Sequence, residues 1–186
     1  MKILTTLFYV LLLSISFGCH SVHVQAGKPP EHLAQETASN QGSISSGERY
    51  LTADQLLKKY GKFQSKYQEY TPSEEAIARL RSIKQPLTLW LVYGTWCHDS
   101  EREVPLIIKL LKQANNPNLT LHLVDVGYDK KVKGELGQSL KIRYTPTLIV
   151  TGESKHELLR IVERPQLTWD QDIAQAANIA ASMVAN

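Results

Sequence analysis

The sequence predicts an α/β protein, a mixed four-stranded sheet with helices on both faces and a helical extension ahead of the first strand. Three observations predict it. A near-continuous apolar run, Leu87 to Tyr93, reads as a strand buried on both faces. From there the patterns follow the order strand, helix, strand, helix, strand, strand, helix. The first two strands are joined by a helix and should run parallel by a right-handed crossover, whereas the last two are joined by a turn and should be antiparallel.

The first residues read as a targeting segment. Met1-Lys2 gives a positive start and Ile3 to Phe17 is mostly apolar, short for a membrane span but suited to a secretory signal. Two exits are open. Ser16-Phe17-Gly18-Cys19 resembles a bacterial lipoprotein box, which would remove residues 1–18 and lipidate Cys19, although its Ser and Phe depart from the usual Leu and small residue. Val24-Gln25-Ala26 resembles an ordinary signal-peptidase site, which would remove residues 1–26. Either exit implies an exported protein, in a bacterial periplasm or held by lipidated Cys19 on a membrane facing it. Residues 27–49 carry Pro-Pro, Ser and Gly with few large apolar side chains and read as a flexible tether.

The domain is expected over 50–186. Thr52-Ala53-Asp54-Gln55 has the form of a capping box, with Leu56, Tyr60, Phe63 and Tyr67 on one face of the helix that follows, Gly61 weakening its middle. Thr71-Pro72-Ser73-Glu74 is read as opening a second helix with an apolar face of Ile77, Leu80 and Ile83. The strand Leu87–Tyr93 ends at Gly94-Thr95, meets Trp96-Cys97-His98-Asp99-Ser100, and passes into a helix with Val104, Ile107, Ile108 and Leu111 at helical spacing. Asn115 to Asn118 is a polar turn and Leu119 to Val126 a second strand. Gly127 to Ile142 leads through a Lys- and Gly-rich stretch into a short helix. Arg143 to Val150 reads as a third strand with proline at its entrance, Gly152 to Lys155 as a hairpin turn, and Glu157 to Glu163 as a fourth strand. Thr168-Trp169-Asp170-Gln171 caps a last helix carrying Trp169, Ile173, Ala176, Ala177, Ala180 and Val184 on one face.

Composition excludes some functions. The charge is +3, from 21 basic and 18 acidic residues scattered along the chain, which does not argue for nucleic acid. Cys19 and Cys97 are the two cysteines. Cleavage after Ala26 removes Cys19 and lipidation consumes its sulfur, so either route leaves Cys97 as the single thiol of the mature protein. That thiol stands where a strand turns into a helix, and a helix N-terminus with its unpaired N–H groups favours a thiolate. A protonated His98 would lower its pKa further, whereas Asp99, Glu101 and Glu103 push the other way, so a modest lowering is expected. Adjacent Cys97, His98 and Asp99 do not converge as metal ligands, and no cofactor is expected. His122 within a strand, and Trp90 and Trp169, read as structural residues; Trp96 should flank the thiol. Lys130, Lys131 and Lys133 read as a solvated face.

Trp96-Cys97-His98-Asp99-Ser100 at the end of the central strand, Pro105 five residues after the second active-site position, and Thr145-Pro146-Thr147 resemble the thioredoxin superfamily in order and spacing. More narrowly, GTWCHDSEREVP is similar to bacterial thioredoxin-like proteins with a Trp-Cys-x-Asp-Ser site. The resemblance covers roughly Tyr50 to Asn186. It implies a thioredoxin-like fold, a cis proline at Pro146, Cys97 as nucleophile, and a substrate surface formed by Trp96, His98, Thr145 and Pro146. The family's second cysteine is Ser100 here, and the buried acid many members carry falls at Leu91. A peroxidase reading fails at Gly94, where that family has Thr. The implied activity is monothiol exchange with protein disulfides or thiols, resolved by an external thiol, with Ser100 as partner of the thiolate. The competing reading is a binding or assembly module that keeps the groove without redox turnover.

Overall fold

The computed structural model describes residues 50–132, 137 and 140–184. The expected signal, Cys19 and the tether lie outside the described residues. So does most of the short helix expected before Ile142.

Among the described residues, three short helices precede the sheet. Helix α1 (Ala53–Lys59) opens with the expected capping box: Thr52 Oγ1 accepts from Gln55 N–H at 3.2 Å, and Gln55 Oε1 accepts from Thr52 N–H at 2.9 Å. The helix does not continue through Gly61. Tyr60 is extended, with φ −122° and ψ 103°, and Gly61 opens a separate helix α2 (Gly61–Glu69). The poor helix propensity at Gly61 thus falls at a helix start, where it costs least. Helix α3 (Glu74–Arg81) starts later than expected. Ser73, not Thr71, is its N-cap and accepts from Ala76 N–H at 3.1 Å. The expected face, Ile77, Leu80 and Ile83, is buried.

Strand β1 (Leu87–Tyr93) pairs in parallel with β2 (Leu119–Asp125), and between them runs α4 (His98–Ala114). Strand β3 (Thr147–Thr151) pairs antiparallel with β1 and with β4 (Glu157–Val162), giving the order β2-β1-β3-β4. The third strand is shorter than expected because residues 143–146 form the loop that carries Pro146. Helix α5 (Trp169–Val184) closes the described chain. Thr168 Oγ1 does not cap it but donates to Asp170 Oδ1 at 2.7 Å. Asp172, inside the first turn, instead accepts from the N–H groups of Gln166 and Leu167. Val184, expected on the buried face, is exposed.

Alternation along β1 divides the core. Leu87, Leu89, Leu91 and Tyr93 face a cluster that takes in buried side chains of α1 to α5, while Val92 faces a smaller cluster with Val124, Val126, Leu140 and Ile149. Helix α4 contributes Val104, Ile107, Ile108 and Leu110, each at most 1% exposed; full burial of such a side chain stabilises by about 1.5–3 kcal/mol. Asn116, in the turn after α4, donates to the carbonyls of Leu80 and Ile83 at 2.8 Å and ties the end of α3 to the α4–β2 turn. These contacts hold the body of α4 in the core and its end against α3.

Candidate active site

Cys97 is the N-cap of α4. Its N–H donates to the Gly94 carbonyl at 3.0 Å, and its own carbonyl accepts the first helical bond, from Glu101 N–H at 2.9 Å. No side chain caps the helix, so the N–H groups of the first turn are directed at the sulfur instead of a hydroxyl or carboxylate. Across the site, the Thr145–Pro146 peptide bond is cis. The Thr145 carbonyl oxygen lies 3.1 Å from Cys97 Sγ and accepts from the thiol. The loop is tied down on both sides: Thr147 Oγ1 donates to the Tyr144 carbonyl at 2.8 Å, and Glu163 N–H donates to the Pro146 carbonyl at 2.8 Å.

Ser100 is fully buried beside Cys97, and its Oγ accepts from Gly94 N–H at 3.2 Å. With that oxygen engaged as an acceptor, the hydroxyl hydrogen is left for the sulfur. The Thr145 hydroxyl is buried without a partner. It becomes useful on ionisation, because a thiolate needs donors where a thiol offers one. Burial alone would push the Cys97 thiol up. Hydrogen bonds to the thiolate from the Thr145 hydroxyl, the Ser100 N–H and hydroxyl, and the Asp99 N–H outweigh it and bring the pKa below its ordinary value.

The direction matches the sequence expectation, but the balance of causes differs. His98, first residue of α4, is exposed and is not among the groups that lower the Cys97 pKa. The three carboxylates expected to oppose it are each paired with a cation. Glu101 meets Lys62 at 3.0 Å, and Arg102 meets Asp99 and Glu103 at 2.7 Å each. The Arg102 Nη2–Asp99 contact is an ion pair without hydrogen-bond geometry. Glu103 also accepts from the Trp169 indole N–H at 3.0 Å, which locks α5 onto the start of α4.

A family model described as "Thioredoxin" matches residues 45–177. The chain belongs to the thioredoxin family. A search of curated proteins finds no match. Among solved structures, a Pseudomonas aeruginosa protein of unknown function is similar at 21% identity and a TM-score of 0.45, over 73% of this chain and 86% of that one. A thioredoxin-like protein from Edwardsiella tarda is similar at 19% identity and a TM-score of 0.38, over 55% of this chain and 91% of that one. Thioredoxin f2 from Chlamydomonas reinhardtii is similar at 21% and 0.34, over 46% of this chain and 73% of that one.

Within this fold the structure brings Cys97, Ser100 and Thr145 together and puts Trp96 and Pro146 at their flanks. Trp96 is half-buried; its indole N–H donates to the Val126 carbonyl at 3.0 Å, and its ring stacks on Tyr128 with centroids 4.6 Å apart. Leu91 is fully buried and offers no proton-transfer group. Among the described residues no cluster of three or more His, Cys, Asp or Glu could hold a metal ion. Sequence reasoning missed Tyr128, Arg102 and the Glu103–Trp169 bond. It also missed Gly94, where a Cβ would come within 2.7 Å of the Trp96 indole. A glycine two residues before an aromatic at a strand end was the available signal for that last contact.

Proposed function

We propose that this protein carries out monothiol disulfide exchange through Cys97. The observation that carries the reading is the set of donors that favours the thiolate at the start of α4, with a hydroxyl where a resolving thiol would stand. The Cys97 thiolate attacks one sulfur of a substrate disulfide. The new bond is a mixed disulfide, and the other substrate sulfur leaves as a thiolate that takes a proton from solvent. Ser100 cannot form the second bond that would release Cys97. An external thiol, or a second cysteine of the substrate, attacks the mixed disulfide and returns Cys97 as thiolate. Net reduction without added thiol is thereby disfavoured, and shuffling, deglutathionylation or capture is favoured.

Pro146 and Thr145 serve in this reading as the substrate platform: when Cys97 ionises, the Thr145 carbonyl loses its S–H donor and can accept from an extended substrate segment. Ser100 also supports a second reading, a thioredoxin-fold binding module that holds partners without turnover. Reactivation of scrambled ribonuclease in a glutathione buffer separates the two. Activity lost in Cys97→Ala supports exchange; ribonuclease left scrambled by the wild-type protein overturns it. The apolar stretch Ile3–Phe17 supports export, with Cys19 as a lipid anchor or Ala26 as the cleavage point; the mass of the mature N-terminus distinguishes these.

A further inference from the structure

The turn after β2 lies against both loops of the site, the one that carries Cys97 and the one that carries Pro146. Lys130 N–H donates to the Gly127 carbonyl at 2.9 Å, Asp129 Oδ1 accepts from Lys131 N–H at 3.2 Å, and Lys130 takes a left-handed φ of 55°. This conformation turns the two tip side chains toward the two loops of the site. Tyr128 stacks on Trp96, the neighbour of Cys97. Lys130 Nζ lies 5.6 Å above the ring of Tyr144, the neighbour of Thr145. Both tyrosines are open to solvent, Tyr128 at 80% and Tyr144 at 53%. Exposed aromatic surface thus stands beside both the Cys97 loop and the Thr145–Pro146 loop.

The charge of this rim is mainly basic: against its cations stand Asp125, whose carboxylate accepts from the Thr95 and Val126 N–H groups, and Glu163, bonded through its N–H to the Pro146 carbonyl. Lys130, Lys131 and Arg143 have no ion-pair partner among the described residues, whereas the acids at the start of α4 are paired with Arg102 and Lys62. Asp129 is the single acid in the turn, and its carboxylate is engaged with the turn backbone.

We propose that this rim selects, for the exchange reaction proposed above, a polypeptide segment carrying an apolar or aromatic side chain beside its reacting cysteine and acidic residues flanking it. The exposed apolar surface favours a polypeptide over a small anionic thiol. A small thiol would meet the cations but leave Tyr128 and Tyr144 uncovered, whereas an extended segment paired at Thr145 passes between them.

The test uses short synthetic peptides, each with one cysteine held as its 2-nitro-5-thiobenzoate disulfide. Attack by Cys97 on the peptide sulfur breaks that bond, forms the peptide–Cys97 disulfide and releases the coloured thiobenzoate anion, so the rate is read directly. One peptide has Tyr beside Cys and flanking Glu; one replaces Glu by Lys; one replaces Tyr by Gly. Each rate is divided by that of neutral hydroxyethyl disulfide with the same variant. The acidic peptide should react about fivefold faster than the basic one at low salt, the two converging at high salt. Replacing Tyr by Gly should slow capture about threefold. Lys130→Gln should narrow the charge preference and Lys130→Glu should abolish or invert it. Equal rates for acidic and basic peptides, with hydroxyethyl disulfide still reacting, overturn this inference alone. A charge preference indifferent to the Tyr and reproduced in full by oxidised glutathione also overturns it. No reaction even with hydroxyethyl disulfide overturns the exchange reading and this inference with it.

Discussion

Cys97 Sγ and the Thr145 carbonyl oxygen are 3.1 Å apart across 48 residues of sequence. The thiol donates to that carbonyl, and the same residue holds a buried hydroxyl with nothing to bond. Thr145 therefore addresses both protonation states, the carbonyl accepting from S–H and the hydroxyl donating to S⁻. Ser100 supplies the second side-chain donor, its oxygen already occupied by Gly94 N–H.

Removing either donor should raise the Cys97 pKa. Burial, the largest influence, already pushes it up, and the Thr145 and Ser100 bonds are what bring it back down. Thr145→Val and Ser100→Ala should each shift the pH dependence of the iodoacetamide rate to higher pH, with the double variant shifted furthest. An unmoved profile in both single variants would mean that helix N–H groups alone set the thiolate.

Ser100→Cys should convert the site to a dithiol. Positions 97 and 100 lie three residues apart at the helix start, with the position-100 side chain fully buried beside the sulfur. The variant should form an intramolecular disulfide and reduce insulin in the presence of dithiothreitol, where the wild type does not. Mass spectrometry showing no disulfide between positions 97 and 100 under oxidant would contradict the placement of Ser100. A disulfide that forms without insulin reduction would trace the defect to Leu91, where a buried acid is lacking.

What was legible in the sequence was local or periodic. Strand β1 runs over Leu87–Tyr93 as expected because seven successive residues suit a central strand and Gly94 ends it. The parallel β1–β2 pair and the β3–β4 hairpin follow from the lengths of their connections. The break at Tyr60 was not legible, since Leu56, Tyr60, Phe63 and Tyr67 keep a helical period through it. The tie from Asp172 back to Gln166 and Leu167 was obscured by Thr168, an N-cap by type whose hydroxyl is drawn to Asp170. At the site, Cys97, Ser100 and Pro146 stand in a spaced motif. The pairing of Glu103 with Trp169 spans 66 residues and leaves no pattern in sequence. Pairing of the three acids near Cys97 with two cations, Arg102 and Lys62, was likewise hidden, because the charges could be counted but not their partners.

Gly94→Ala should destabilise the protein by about 1–3 kcal/mol. A Cβ there would lie 2.7 Å from Trp96 Cε2 and 2.8 Å from Nε1. The indole cannot simply swing away, being held by the Val126 carbonyl and the Tyr128 ring. Urea unfolding of Gly94→Ala, Trp96→Ala and the double variant tests the contact as a cycle. Once Trp96 is shortened, the alanine should cost much less. Additive losses would place the strain in the backbone instead.

His122 should make stability fall on acidification. Its ring stacks on Trp90 with centroids 4.4 Å apart and an interplanar angle of 17°, in the middle of β2. Burial lowers its pKa below the ordinary 6.5. A protonated imidazole over an indole would gain cation–π attraction, but burial wins. In the window between the lowered folded value and 6.5, the unfolded chain binds the proton and the folded protein does not. The contribution is therefore whole above 6.5 and is lost as pH falls through the folded pKa. Urea midpoints of wild type and His122→Phe, measured across that range, isolate the effect from His98 and His156, which both proteins share. The wild type should lose more stability than His122→Phe as pH drops. A difference that stays constant with pH would show that His122 takes up its proton equally in both states.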